Sequence, residues 1–359
     1  MQYRSTRDFR KTVSAAQAIA QGICEDGGLF VPQSIPHLEW KDFEQMRKLS
    51  YVERAETILA QFLTDFSAKE IHSCVQAAYT DQKFPGGPAP LSVLQTSSCT
   101  MYLLELWHGP TCAFKDMALQ LLPHLLTQSL KKIHTDKTAV ILVATSGDTG
   151  KAALEGFKDV PGTKILVFYP QNGVSPMQKR QMLTQEGSNV AVCAIEGNFD
   201  DAQTGVKKIF TDETVCHALD SHGMMFSSAN SINLGRLLPQ IVYYISAYCD
   251  LMNMKTISHE GMKINISVPT GNFGNILAAY YAKEMGLPVN RLICASNANN
   301  VLTDFLRTGV YNRNRPFYTT ISPSMDILIS SNLERLLSSL TESDILVKKW
   351  MRSEERRVG

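Results

Sequence analysis

An α/β fold with parallel sheet is predicted by two observations: short apolar or β-branched runs recur beyond residue 138, and amphipathic stretches separate them. The runs AVILVA (139–144), KILVFY (164–169), VAVCAI (190–195), INISVP (264–269) and RLICAS (291–296) have the length of strands buried on both faces. Between them, KAALEGF, DDAQTGVKKIF and ILAAYYAKEM carry helical spacing. Strand followed by helix, repeated, makes βαβ units, whose ligands bind at the carboxyl ends of the strands. The chain before this region reads differently. TVSAAQAIAQGI and ERAETILAQFL are helical patterns, and KFPGGPAP (83–90) is dense enough in Pro and Gly to mark a boundary. At 359 residues the chain is expected to hold two or three domains.

Composition excludes several classes. With 44% hydrophobic and 19% charged residues the chain is an ordinary globular protein, neither disordered nor membrane-embedded. Its 35 basic and 34 acidic residues leave a net charge of +1, which gives no basic surplus for nucleic acid or anionic lipid. The eight cysteines, at 24, 74, 99, 112, 193, 216, 249 and 294, are scattered without a Cys-x-x-Cys pair, so neither zinc nor a redox dithiol is expected and no metal site is assigned. MQYRSTRDFRKTVS lacks a secretory h-region, and no apolar run reaches the roughly 18 residues of a membrane helix. A reducing cytoplasm is the expected location. The charged ending SEERRVG lacks core periodicity and reads as a foreign tail at 353–359, with a frayed terminus as the alternative.

Three segments carry candidate chemistry. LELWHGPTCAFKD (104–116) sets Lys115 among small and apolar residues. A lysine desolvated in this way loses its proton readily and can form a Schiff base with a carbonyl, whereas a solvated lysine at a helix start would be a plain surface charge. PTGNFGN (269–275) joins a strand to a helix; its glycines allow a nest of backbone N–H groups, and the helix N-terminus adds partial positive charge, together suiting a phosphate. A purely steric Gly-Asn turn is the competing reading. TSGDTGK (145–151) also joins strand to helix. It is not a P-loop, because Thr145 and Ala152 stand where that motif needs Gly and Ser or Thr. Asn230, Asn233 and Arg236 recur at intervals of three, along one side of a helix or its entry. They offer amide and guanidinium donors to a phosphate monoester, or alternatively cap a helix that carries a surface Arg. Asp116 can support a helix start without chemistry, and His108 shapes the turn before Pro110.

Taken together, these segments resemble the threonine synthase family of pyridoxal-phosphate (PLP) enzymes, related to the tryptophan synthase β chain. YRSTR (3–7), DGGLFVP (26–32), NSINLGR (230–236) and PSMDILISSNLERLL (323–337) extend the likeness, in the family's order, over nearly the whole chain. The resemblance implies a fold type II architecture of two parallel-sheet α/β domains after an N-terminal helical segment. The divisions expected are 1–88, then 89–230 with Lys115 and the SGDTG loop, then 231–352 with the GNFGN loop.

The resemblance also implies roles. Lys115 would hold PLP covalently and move protons. Gly271, Asn272, Phe273, Gly274 and Asn275 would bind its phosphate. Ser146, Asp148 and Thr149 would lie nearest the bound groups, with Asp148 where related enzymes often have Asn against the ring hydroxyl. Asn230, Asn233 and Arg236 would take the substrate's phosphate. The implied reaction converts O-phospho-L-homoserine and water to L-threonine and phosphate. The family also leads one to expect more sequence after residue 359, including a Thr-Ala-His-Pro-Ala-Lys-Phe-like motif, so a folded but inactive fragment is one alternative; a serine or threonine dehydratase is another, and an NTPase is disfavoured by the loop mismatch. Oligomeric state is not legible.

Overall fold

The structure, a computed structural model, describes residues 1–145 and 147–356. All five runs read as strands are strands in parallel ladders. Burial on both faces, however, holds only for Thr138–Ala144 and, but for Lys164, Thr163–Pro170; Val190–Ile195, Ile264–Pro269 and Val289–Ala295 each expose three positions because they lie at sheet edges. The larger sheet has four strands, in the order Val190–Ile195, Thr163–Pro170, Thr138–Ala144, Met224–Ser227. The chain first builds outward from Thr138–Ala144 on one side and then returns to add Met224–Ser227 on the other. The loops at the carboxyl ends of Thr138–Ala144 and Met224–Ser227, where the strand order reverses, both line one crevice. The described residues of those loops are 145, 147 and 228–233. A second sheet pairs Ile264–Pro269 with Val289–Ala295, and the GNFGN loop leaves its first strand.

Helix Leu234–Asn253 lies at the centre and is buried over most of its length. It packs against helices Tyr51–Phe62, Gly274–Glu284 and Asp116–Leu119, so it contacts both the lysine segment and the helix after the phosphate-loop candidate. Its apolar surface on all sides matches this position, since a helix covered on every face has no polar stripe to keep.

The N-terminal segment is more than helical. Residues Asp8–Val13, Tyr3–Ser5 and Phe30–Pro32 form an antiparallel sheet in that order, and Leu91–Gln95 pairs with Thr100–Leu104 as a hairpin. Sequence pattern missed the first of these because two of its strands have three residues each, too short for a period to show. The helices that were expected are fixed by local chemistry: Ser14 with Gln17 and Ser50 with Glu53 form capping boxes, each satisfying otherwise unpaired N–H groups. The expected foreign tail at 353–359 runs into residues 357–359, which lie outside the described residues; helix Asp344–Arg356 includes its first part.

One side chain joins these layers. Arg335, fully buried, donates from Nε to the Phe30 carbonyl (2.9 Å), from Nη2 to the Ile232 carbonyl (2.6 Å) and from Nη1 to Asn332 Oδ1 (2.5 Å). Beside it, Glu334 accepts Thr6 Oγ1 and a two-pronged pair of bonds from Arg7, each 2.9 Å. The N-terminal sheet, the crevice loop and helix Leu333–Thr341 are thus fastened at one point. Removing a buried guanidinium strands its acceptors without water. Arg335→Leu is expected to lower unfolding free energy by about 3 kcal/mol or more in urea denaturation, whereas Arg10→Ala, on the surface, leaves the midpoint unmoved; equal effects would contradict the assignment.

Candidate active site

Lys115 stands at the start of helix Asp116–Leu119, after a tight turn. The turn closes because Asp116 accepts the Thr111 N–H at 2.8 Å and the Thr111 hydroxyl at 2.6 Å. Gly109 lies so close that an added Cβ would meet the Asp116 side chain at 2.5 Å, which explains glycine there. Burial pushes the Asp116 carboxyl up despite those hydrogen bonds. Asp116 is therefore a strut for the lysine's backbone. His108 pairs with Glu105 at 2.7 Å, in keeping with the turn role expected of it.

The Lys115 amine is buried at the wall of a cavity of about 1360 Å³. Desolvation is the largest influence on it and lowers its pKa from 10.5 to about 8; the opposing attraction of Asp148 is smaller, and the cations Arg236 and Lys151 lower it further. Asp148 Oδ2 lies 3.6 Å from Lys115 Nζ. A lysine in this state has a substantial neutral fraction near neutral pH, which is what a nucleophile or proton carrier requires.

Asp148 begins helix Asp148–Phe157, on the loop that leaves the central strand. Thr145 Oγ1 accepts the Gly147 and Gly150 N–H groups at 2.9 Å each and thereby folds the loop back on itself. Asp148 and Thr149 both line the cavity, as does Asn230 on the opposite loop. Ser146 lies outside the described residues. Lys151, the residue that would reach a nucleotide phosphate in a P-loop, instead donates to the Thr111 carbonyl, which removes the physical basis of the NTPase alternative.

The GNFGN loop meets the cavity through Asn272, while Gly271, Phe273, Gly274 and Asn275 sit outside its lining. Its carbonyls are held from behind: Gly271 O accepts Ser330 Oγ at 2.6 Å, and Asn272 O accepts the Asn332 N–H at 3.1 Å. Gly271 packs so closely that a Cβ would stand 3.1 Å from Ile327 Cγ1. Phe273 adopts the left-handed conformation (φ 64°) and turns the chain into helix Gly274–Glu284. Among the described residues, the backbone N–H groups of 271–275 donate to no protein acceptor. Unpaired amides at a helix N-terminus suit a phosphate. The Asn275 side chain does not join them, because its amide bonds the Pro269 carbonyl and the Ile276 N–H.

The expected phosphate-binding trio divides. Asn230 faces the cavity. Asn233 is fully buried and turned away: its Nδ2 donates to the Ile19 and Ser228 carbonyls and its Oδ1 accepts the Gly235 N–H, so it caps helix Leu234–Asn253. Direct substrate contact by Asn233 is therefore replaced by capping. Arg236 is covered, with Nη1 on the Ala229 carbonyl (3.1 Å) and a buried Nε without a hydrogen-bond partner; desolvation lowers its pKa to about 10. The sequence pattern missed Gln178, Arg7, Lys207 and Arg313 at the cavity. Only Arg7 had a signal, through its place in YRSTR. Among the described residues no cluster of His, Cys, Asp or Glu could hold a metal.

A buried, readily deprotonated lysine at the switch point of a parallel sheet, facing an amide-rich helix entry, is the constellation of a Schiff-base cofactor enzyme. Residues 83–346 match the family described as "Pyridoxal-phosphate dependent enzyme", and residues 2–79 match "Threonine synthase N terminus". Within that class the chain belongs to the threonine synthase family. It is 38% identical to a threonine synthase of Eremothecium gossypii, over 99% of this chain and 72% of that protein. It is 43% identical to the human "Threonine synthase-like 1", over 94% of this chain, and spans about half (46%) of that relative's length. The solved structure of PLP-bound threonine synthase from Brucella melitensis superposes with a TM-score of 0.88 at 40% identity, covering 99% of this chain and 73% of that one.

The cofactor is accordingly pyridoxal phosphate, and the fold is type II. The residues fit it: Lys115 would be available for the aldehyde, and the 271–275 amides, which Asn272 brings to the cavity, for the phosphate. In protein without cofactor, amine-specific labelling of Lys115, followed by peptide mass spectrometry, is expected to rise through pH 8, whereas exposed lysines respond near pH 10.4. Labelling of Lys115 in step with surface lysines would refute the desolvated site.

Proposed function

We propose that this chain is a threonine synthase that converts O-phospho-L-homoserine and water to L-threonine and phosphate. The observation that carries the reading is Lys115, whose buried amine is neutral in part near pH 8 and opens onto a large cavity. PLP, when bound, supplies an electron sink that makes carbanions at Cα and then Cβ accessible, which loss of a γ-phosphate requires.

The chain's own residues have distinct tasks in this reading. Lys115 Nζ accepts the proton from substrate Cα and returns protons later in the cycle. Thr149 and Asp148 orient the bound groups from the strand-to-helix loop, and the 271–275 amides fix the cofactor's phosphate. Asn230 and Arg236 receive the substrate's phosphate; Arg236 is preorganised by the Ala229 carbonyl and needs a bound anion to complete its donor set. Asn233 serves by holding the first turn that carries Arg236. The cavity lining also includes the cations Arg7, Lys207 and Arg313 and the carboxylates Asp148 and Glu334, with Arg7 paired to Glu334.

The division into 1–88, 89–230 and 231–352, and a cytoplasmic location, belong to the same proposal. No helix of the described residues is long and apolar enough to cross a membrane.

A substrate panel tests the reading. Phosphate release from O-phospho-L-homoserine with threonine as co-product is the expected result, and Lys115→Ala is expected to lower it by at least about 10³-fold. Formation of 2-oxo acids from serine or threonine alone would replace the synthase by a dehydratase. A folded, PLP-binding chain without turnover would reject the activity for this chain.

A further inference from the structure

Gln178 has no role in any reading given so far. It lies in helix Pro176–Leu183, is 9% exposed, and lines the cavity. Its helix is started by Ser175, whose hydroxyl accepts the Gln178 N–H at 3.3 Å, so the residue's backbone is anchored where its side chain leaves. The amide lies against Gly147: a Cβ on that glycine would sit 2.3 Å from Gln178 Oε1, and Gly147 has φ 149°. A glycine in that conformation leaves the space that Gln178 fills.

The amide has a specific target. Gln178 Nε2 donates to Asp148 Oδ1 at 2.5 Å, and the other carboxylate oxygen, Oδ2, stands 3.6 Å from Lys115 Nζ. An N–H···O hydrogen bond between ionised groups is ordinarily about 2.7 to 2.9 Å long. Asp148 is therefore in full contact with the neutral amide and short of full contact with the cation. Two nearly buried, opposite charges would close to contact if nothing held them apart. The other charged groups acting on Lys115 are Arg236, from helix Leu234–Asn253, and Lys151, from the Asp148 helix; both repel the ammonium and neither bonds Asp148 in this structure.

We propose that Gln178 is a positioning residue that holds the Asp148 carboxylate back from Lys115, so that the ion pair between them stays loose and the lysine stays a reactive amine. The arrangement divides the labour of one carboxylate: Oδ1 is committed to Gln178, and Oδ2 attracts the lysine from a distance. Attraction at that distance steadies the protonated form enough for it to return a proton, while the looseness of the contact allows deprotonation. The inference rests on the role given to Lys115 under the proposed function, but it concerns the protein before any cofactor or substrate arrives.

The test measures the pH dependence of Lys115 labelling in cofactor-free protein, with folding checked by circular dichroism and thermal melting. Gln178→Met keeps the volume and removes the donor; Gln178→Asn keeps the amide and shortens its reach. Both are expected to raise the Lys115 midpoint by about one pH unit, which at pH 8 means roughly fivefold slower labelling. Asp148→Asn is expected to lower the midpoint, because it removes the attraction altogether. A merely structural Gln178 would change melting temperature and leave the midpoint in place, which would overturn the proposal, as would a fall of the midpoint in either Gln178 variant. Since neither PLP nor substrate is present, absence of threonine synthesis in a separate turnover assay would reject the proposed activity without touching this result, and an unmoved midpoint would reject the Gln178 role without touching the activity.

Discussion

Keeping one ammonium group out of water is the constraint around which the site is arranged. Desolvation of a lysine is unfavourable to its charged form, and a protein that buried Lys115 beside a fully bonded carboxylate would recover that cost and lose the free amine. Here the carboxylate is present but occupied elsewhere, and two further cations act on the lysine. The turn that delivers Lys115 is likewise built from buried polar groups that satisfy one another: Asp116 serves Thr111, and the Thr111 carbonyl receives Lys151. The charged residues around Lys115 thus divide between shaping its backbone and tuning its proton affinity.

The surroundings hold that arrangement in place at a distance. The GNFGN loop leaves the smaller sheet, and Ser330 and Asn332 donate to its carbonyls. Asn332 is in turn bonded by Arg335, and Arg335 also bonds the crevice loop at Ile232 and the N-terminal sheet at Phe30. One guanidinium therefore connects the phosphate-loop candidate, the crevice loop at Ile232 and the N-terminal sheet that ends at Pro32. This explains how an N-terminal segment with its own small sheet contributes to a site formed by later α/β units.

What the sequence disclosed and what it withheld follow from range. The apolar run AVILVA announces a parallel strand covered on both faces, whereas INISVP, also a parallel strand, alternates and leaves Asn265, Ser267 and Pro269 exposed. Lys115, Asp148 and Asn272 were legible because their neighbours in sequence are the small and turn-forming residues that a ligand-facing loop needs. Strands of three or four residues, including Met224–Ser227, carry too few positions for a pattern, although that last strand creates the switch point. The spacing of three leaves Asn233 open between ligand and helix cap, because it fixes a side of a helix but not whether that side meets the cavity; the family resemblance implies the ligand, and tertiary packing makes it the cap. Gln178 was invisible for a related reason: its partner Asp148 is 30 positions away, and nothing local distinguishes it from other glutamines.

The central claim is that Lys115 is the attachment point of pyridoxal phosphate, and absorbance spectroscopy tests it directly. Adding PLP to the purified chain is expected to produce a Schiff-base band in the visible range that borohydride removes, leaving the reduced cofactor on the peptide containing Lys115 when the protein is digested and weighed. Lys115→Ala is expected to lack both the band and the labelled peptide. A band of equal strength in that variant, or reduction onto a different lysine, would contradict the account.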